Sequence, residues 1–531
     1  MASAERAVFD RAAAFEQVPP KTNYFEATAR VTVWTVVAIL ALATGRALFE
    51  SLRWRLTGDA SLNYYIAVQL LHGAVPYRDI LDPNMPGTYW VHEFIVANFG
   101  IGDVPWRVFD LICLAGICAA AGAIMRRAGA AACALGVLLL AGYHLSAGPT
   151  IAGERDYIAV LPLMVAALAT IRFIENEQRR ELAISGAAIG LSVLFKPTFV
   201  LAPAFLMLVL VIHKWRGFRS MIVDGLWLGG PMLMVLCGAA ATLAAQGALI
   251  PLIDTYRDYV LPIYSKLYTE NAWNYFSLVG IHLLPCIAMI LAACLLTFSS
   301  RLYVRHTAAA FALFGLVSFY LQGKGFLYHL CPWAMFTIVW AAIALGDMLK
   351  QKDNLKAQCA VIMLVPLMTF AVYHGRLVGT VSFLKPMEDP ITRDLARVVQ
   401  PGDKVQVLDN SMGAVQALLR LGVSEPTRFF YEFPFFQDKD ISFRRKVREE
   451  FLEALDAHPP KAIVITNSEY TTLHFGYERI NSWPSFAELL RKRYALRFTY
   501  TDPLGGQGYR IYVRKDNTFG PASHDAAARG R

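Results

Sequence analysis

The feature that most constrains this chain is a series of apolar windows, each about 20 residues long, recurring from residue 31 to residue 375. The first reads VTVWTVVAILALATGRALFE. A helix rises 1.5 Å per residue and a bilayer core is about 30 Å thick, so windows of this length match a membrane. Composition agrees: 56% of the 531 residues are hydrophobic and only 17% are charged. Eleven spans are predicted, near residues 31–50, 104–125, 131–147, 156–174, 182–195, 198–213, 221–245, 273–298, 306–322, 326–346 and 357–375. Residues 1–30 are polar, carry both charge signs and lack a small-residue cleavage site, so the first apolar run is expected to remain as a signal anchor.

The net charge of +9 does not imply nucleic acid, because the cations gather in short clusters between the apolar windows. Counting the spans places Arg126–Arg127, Arg172 with Arg179–Arg180, Lys214 with Arg216 and Arg219, Arg301 with Arg305, and Lys350 with Lys352 and Lys356 on the N-terminal side. Lys and Arg collect in cytoplasmic loops, so that side is the cytoplasm. Residues 51–103, 148–155, 246–272, 323–325 and everything after 375 then face outward. Counting PGTYWVHEFIVANFG (86–100) as a span would reverse every later loop, so it reads as an interfacial helix. The eight cysteines form no CxxC pair and read as small core residues.

After residue 375 the pattern changes. VQVLD (405–409), AIVIT (462–466), LRFTYT (496–501) and YRIYV (509–513) read as strands. SMGAVQALLRLG (411–422), the charged run 443–457 and SFAELLRKRY (485–494) have helical spacing, so residues 376–515 read as a small extracytoplasmic α/β domain. Residues 516–531 read as a disordered tail.

Polar residues inside so apolar a chain are the candidates for chemistry. Asp59 heads GDASLNYYIAVQLLHG as the N-cap of a short amphipathic helix ending at Gly73, a position that would also keep its carboxylate ionised as a general base requires. The loop PYRDILDPNMPG (76–87) brings Arg78, Asp79, Asp82 and Asn84 between prolines, as a plain turn or as part of a cavity. GERDY (153–157) places Glu154, Arg155 and Asp156 on the same outer face. Lys196 in FKPTF reads as a snorkelling lysine. QGKGFLYHLCPW (322–333) carries Lys324, Tyr328 and His329 on the outer side, where positive-inside bias disfavours lysine and where a cation suits phosphate.

An external Asp after the first span, a PYRD loop ending in Pro-Gly, an ERD cluster before the fourth span and GKGxxYH near a later one resemble one family. That family is the protein O-mannosyltransferase-like branch of the GT-C glycosyltransferases, which includes the lipid A aminoarabinose transferases. The resemblance covers roughly residues 30–350. It implies a GT-C fold, a polytopic α-helical membrane protein of about 11 helices, whose donor is a sugar on a polyprenyl phosphate. It implies Asp59 as catalytic base and Asp156 or Glu154 as the second acidic position. Lys324, with Arg155 and His329, would hold the donor phosphate. Glu154, Arg78, Asp79, Asp82 and Tyr328 would shape the cavity and its acceptor side. Ala60 stands where many members carry a second acid; no cofactor is assigned, and a divalent metal stays open.

The expected activity is inverting transfer of a sugar to an extracytoplasmic lipid, glycan or protein at a bacterial inner membrane. A flippase for a lipid-linked sugar, or a noncatalytic assembly protein of the same fold, are the alternatives.

Overall fold

A computed structural model describes residues 24–267, 302–377, 387–410, 412–470, 473–502 and 507–515. Among these, eight helices are long and apolar enough to cross a membrane, Tyr24–Ser51 first and Leu327–Leu349 last. Two further predicted spans are also helical, one as the 15-residue Arg179–Val193 and one within Leu355–Leu377, which contains Pro366. The window 273–298, the first 23 residues and the final segment 516–531 lie outside the described residues. Large apolar side chains such as Leu42, Ile112, Leu226 and Met234 project outward from the bundle, as a lipid solvent permits. Residues 86–100 form the 14-residue helix Pro86–Phe99, too short to span.

Small residues set how closely the helices approach. A Cβ on Gly186 would lie 1.9 Å from the carbonyl oxygen of Leu228, and one on Gly190 would lie 3.0 Å from that of Met232. Helices Arg179–Val193 and Phe218–Ala245 therefore meet backbone to backbone across a small-xxx-small face. Gly186→Leu is expected to cost about 1–3 kcal/mol by overpacking. Gly230→Leu, where a Cβ meets nothing within 4 Å, should be neutral, and melting both variants in detergent checks the contrast.

The tail carries a sheet of β1 (Val405–Leu408), β2 (Ala462–Tyr470), β3 (Leu473–Phe475), β4 (Tyr494–Thr501) and β5 (Gly508–Arg514). Its order is β1-β2-β5-β4, with β3 paired to β2. β1 and β2 are parallel, joined through helices Ala414–Leu421 and Ile441–Ala457, and the other pairings are antiparallel. All four strands read from the sequence are present. The three-residue β3 and helix Glu388–Leu395 are additions too short to show a period.

Period-two alternation splits β2 between two cores. Ala462 and Val464 pack in one cluster with Leu62, Tyr65, Ile66, Tyr77, Ile80 and Tyr89 of the segment that follows the first span. Ile463 and Ile465 face Phe435, Phe451, Trp483 and Phe486 in another. The Leu81 N–H donates to the Arg428 carbonyl at 2.9 Å, and the Glu425 N–H donates to the Tyr65 hydroxyl at 3.0 Å. The sheet thus shares a core with the loop that carries Asp59.

Candidate active site

Asp59 does not cap its helix. The helix runs Gly58–Leu71 and its N-cap is Thr57, which makes no side-chain capping bond. Gly58 takes φ +62°, a left-handed turn that glycine allows, so Asp59 falls inside the first turn with its carboxylate directed elsewhere. That carboxylate accepts from Arg155 Nη1 at 3.3 Å and from the Tyr328 hydroxyl at 3.1 Å. Arg155 Nη2 also donates to the Tyr328 oxygen at 3.3 Å, and its guanidinium lies 5.5 Å from the Tyr328 ring centroid. The Asp59 side chain remains 26% exposed, whereas Glu154 and Asp156 are buried. Ala60 is buried too, so no acidic pair forms at that position.

The loop before Arg155 is fixed from below. The Gly153 N–H donates to Asp110 Oδ1 at 2.8 Å, and a Cβ on Gly153 would lie 2.3 Å from the Trp106 ring nitrogen. Glu154 takes the N-cap position of the span Arg155–Asn176 without a side-chain capping bond, and its Oε1 lies 3.6 Å from where a Gly58 Cβ would stand.

Asp156 accepts from Lys196 Nζ at 2.6 Å, and His329 Nε2 lies 3.9 Å from the same oxygen. Lys196 departs from its expected role. It does not snorkel: it is buried, pairs inward with Asp156 and lies 5.9 Å from the Tyr328 ring centroid. A signal existed, because the count of basic loops that singled out Lys324 assigns the turn at 196–197 to the same expected side.

The remaining expected residues divide. Asp82 is buried and accepts from the Tyr89 hydroxyl and from the Asn84 N–H, the latter at 3.1 Å. Arg78 and Asp79 bond to each other at 2.8 Å, and Asp79 also accepts from the Val75 N–H at 2.8 Å. Both are exposed and outside the cavity, because the turn itself satisfies the Asp79 carboxylate. Lys324 does not line the cavity either: its ammonium donates to the carbonyls of Tyr264 and Leu267.

The cavity holds about 70 Å³. Asp59, Asp82, Arg155 and Tyr328 line it from the membrane half, and Tyr259 and Tyr264 from the segment after residue 246. Asn410, Tyr431 and Phe433 line it from the tail. The aromatic run 429–436 is therefore divided, with Phe429 and Phe435 in the core and Tyr431 and Phe433 at the cavity. Among the described residues no three His, Cys, Asp or Glu side chains converge as metal ligands.

Burial pushes the Asp82 carboxyl up to about 6, against the pull of its two donors. A folded value above the unfolded one means stability that is full below about pH 4 and lost as pH rises through about 6. At 1.36 kcal/mol per pH unit the loss approaches about 3 kcal/mol. Asp82→Asn should flatten this dependence, which melting curves of both proteins at about pH 4 and about pH 7 would show.

The same architecture occurs in ArnT from Cupriavidus metallidurans bound to undecaprenyl phosphate, which aligns with 91% of this chain and 99% of its own at a TM-score of 0.61 and 14% identity. The chain has the GT-C fold. The apo state of the same ArnT aligns at a TM-score of 0.57 and 12% identity, covering 90% of this chain and 97% of its own. A family model described as dolichyl-phosphate-mannose-protein mannosyltransferase matches residues 82–240, a stretch that includes Asp82, Glu154, Arg155, Asp156 and Lys196. No curated protein sequence matches. The resemblance of the chain to the protein O-mannosyltransferase-like branch therefore extends from its motifs to its fold.

Proposed function

We propose that this GT-C chain is a multi-pass glycosyltransferase of a bacterial inner membrane, with a cytoplasmic N-terminus and an outward-facing site. It moves a sugar from a polyprenyl phosphate to an acceptor hydroxyl on a lipid, glycan or protein. The observation that carries this reading is a partly exposed carboxylate, Asp59, beside the buried cation Arg155 on one cavity wall.

Asp59 takes the proton of the acceptor hydroxyl as its oxygen attacks the anomeric carbon. The bond from that carbon to the phosphate oxygen breaks, the polyprenyl phosphate leaves as an anion, and the carbon is inverted. Arg155 is the cation best placed to stabilise the departing phosphate, since it lines the cavity and Lys324 does not. Tyr328 orients both Asp59 and Arg155. Lys196 and Asp156, with His329 beside them, form a buried layer behind that wall.

Purified protein in proteoliposomes, supplied with labelled sugar on undecaprenyl phosphate and an extract of envelope lipids, tests the reading. Label is expected to appear covalently on an extract component. Movement of intact sugar lipid between leaflets without transfer would overturn it in favour of a flippase.

A further inference from the structure

Asn410 follows the carboxyl end of β1, which runs parallel to β2. In open α/β sheets this is the end at which ligands bind. Asn410 is 2% exposed and lines the cavity. Its Nδ2 donates to Glu432 Oε1 at 2.8 Å. Glu432 is gripped by Arg479 at 2.9 and 2.7 Å, and Arg479 is anchored on the Thr466 carbonyl of β2 at 2.7 Å.

A carboxylate paired with a guanidinium only accepts, so the Asn410 amide is fixed with its NH₂ toward Glu432. Its oxygen is thereby turned the other way, and it has no hydrogen-bond partner among the described residues. An oriented, buried acceptor at a cavity wall calls for a donor from whatever enters. Tyr431 and Phe433 of the same tail add ring surface to that wall.

We propose that the tail supplies a carbohydrate subsite of the cavity, in which Asn410 Oδ1 accepts a hydrogen bond from a sugar hydroxyl. The subsite rests on the transferase reading and makes the tail a determinant of which substrate is taken. The hydroxyl belongs either to the donor sugar or to a glycan acceptor.

The test compares full-length wild type with Asn410→Leu, and with Asn410→Ala in case the larger side chain does not fold. Binding is measured to bare undecaprenyl phosphate and to undecaprenyl phosphates carrying mannose, glucose, arabinose or aminoarabinose. A neutral hydrogen bond is expected to shift affinity by about three- to ten-fold. Loss of that size for the tightest sugar-bearing lipid, with bare undecaprenyl phosphate unchanged, supports a donor subsite. Unchanged donor binding with a three- to ten-fold rise in the envelope-lipid extract needed for half-maximal transfer supports an acceptor subsite.

Equal losses for bare and sugar-bearing lipid would mean a merely structural residue and overturn the proposal, as would no change in any measurement. Wild type that binds none of these lipids would instead overturn the transferase reading, and the subsite with it.

Discussion

Asp59→Asn should lower glycosyl transfer by about 10² to 10⁴-fold while leaving the protein inserted and folded. The substitution keeps the shape of the side chain, and its amide oxygen still accepts from Arg155 and Tyr328. What it removes is the basic oxygen that takes the acceptor proton. The three aspartates of residues 58–87 predict a graded outcome. Asp79, exposed and satisfied within its own turn, should tolerate Asn with nearly normal turnover. Initial rates of label transfer, normalised to folded protein, check both variants. Near-normal turnover by Asp59→Asn would remove the general base from the mechanism.

Lys196→Met should destabilise the protein by about 3–5 kcal/mol, because it strands the Asp156 carboxylate in a buried site without its ammonium. Asp156 is fully buried and its second oxygen has no hydrogen-bond partner among the described residues, so little else compensates the charge. The double variant Lys196→Met, Asp156→Leu should recover most of that loss, since an apolar pair of similar volume replaces a buried ion pair at little cost. Thermal melting of the two single variants and the double one in detergent measures the coupling. Additive losses would show that the two residues act independently.

The membrane half of the fold was legible because the bilayer imposes a length on each helix, and an apolar window of that length is visible in one dimension. The count of cation clusters put Asp59, Arg155 and Tyr328 on one side of the bundle, and they meet in one cluster. Two things were not legible. The cap at Thr57 depends on a left-handed Gly58, a backbone choice that the letters Gly-Asp do not settle. Lys196 and Asp156 meet across 40 residues of sequence, and only the packing of helix ends brings them together. Arg78 and Asp79 show the converse: adjacent charges in a motif satisfied each other and left the cavity to Asp82.

The core that β1, β2 and β5 share with Leu62, Tyr65 and Tyr89 has a consequence for how the chain can be divided. The tail is attached to the membrane half by buried side chains, by the Leu81–Arg428 backbone bond and by the Arg55–Asp389 bidentate pair. Two polypeptides, one ending at residue 377 and one beginning at residue 387, produced together should therefore associate as a noncovalent heterodimer. The membrane piece made alone should expose an apolar patch around Tyr65 and Tyr77 and aggregate.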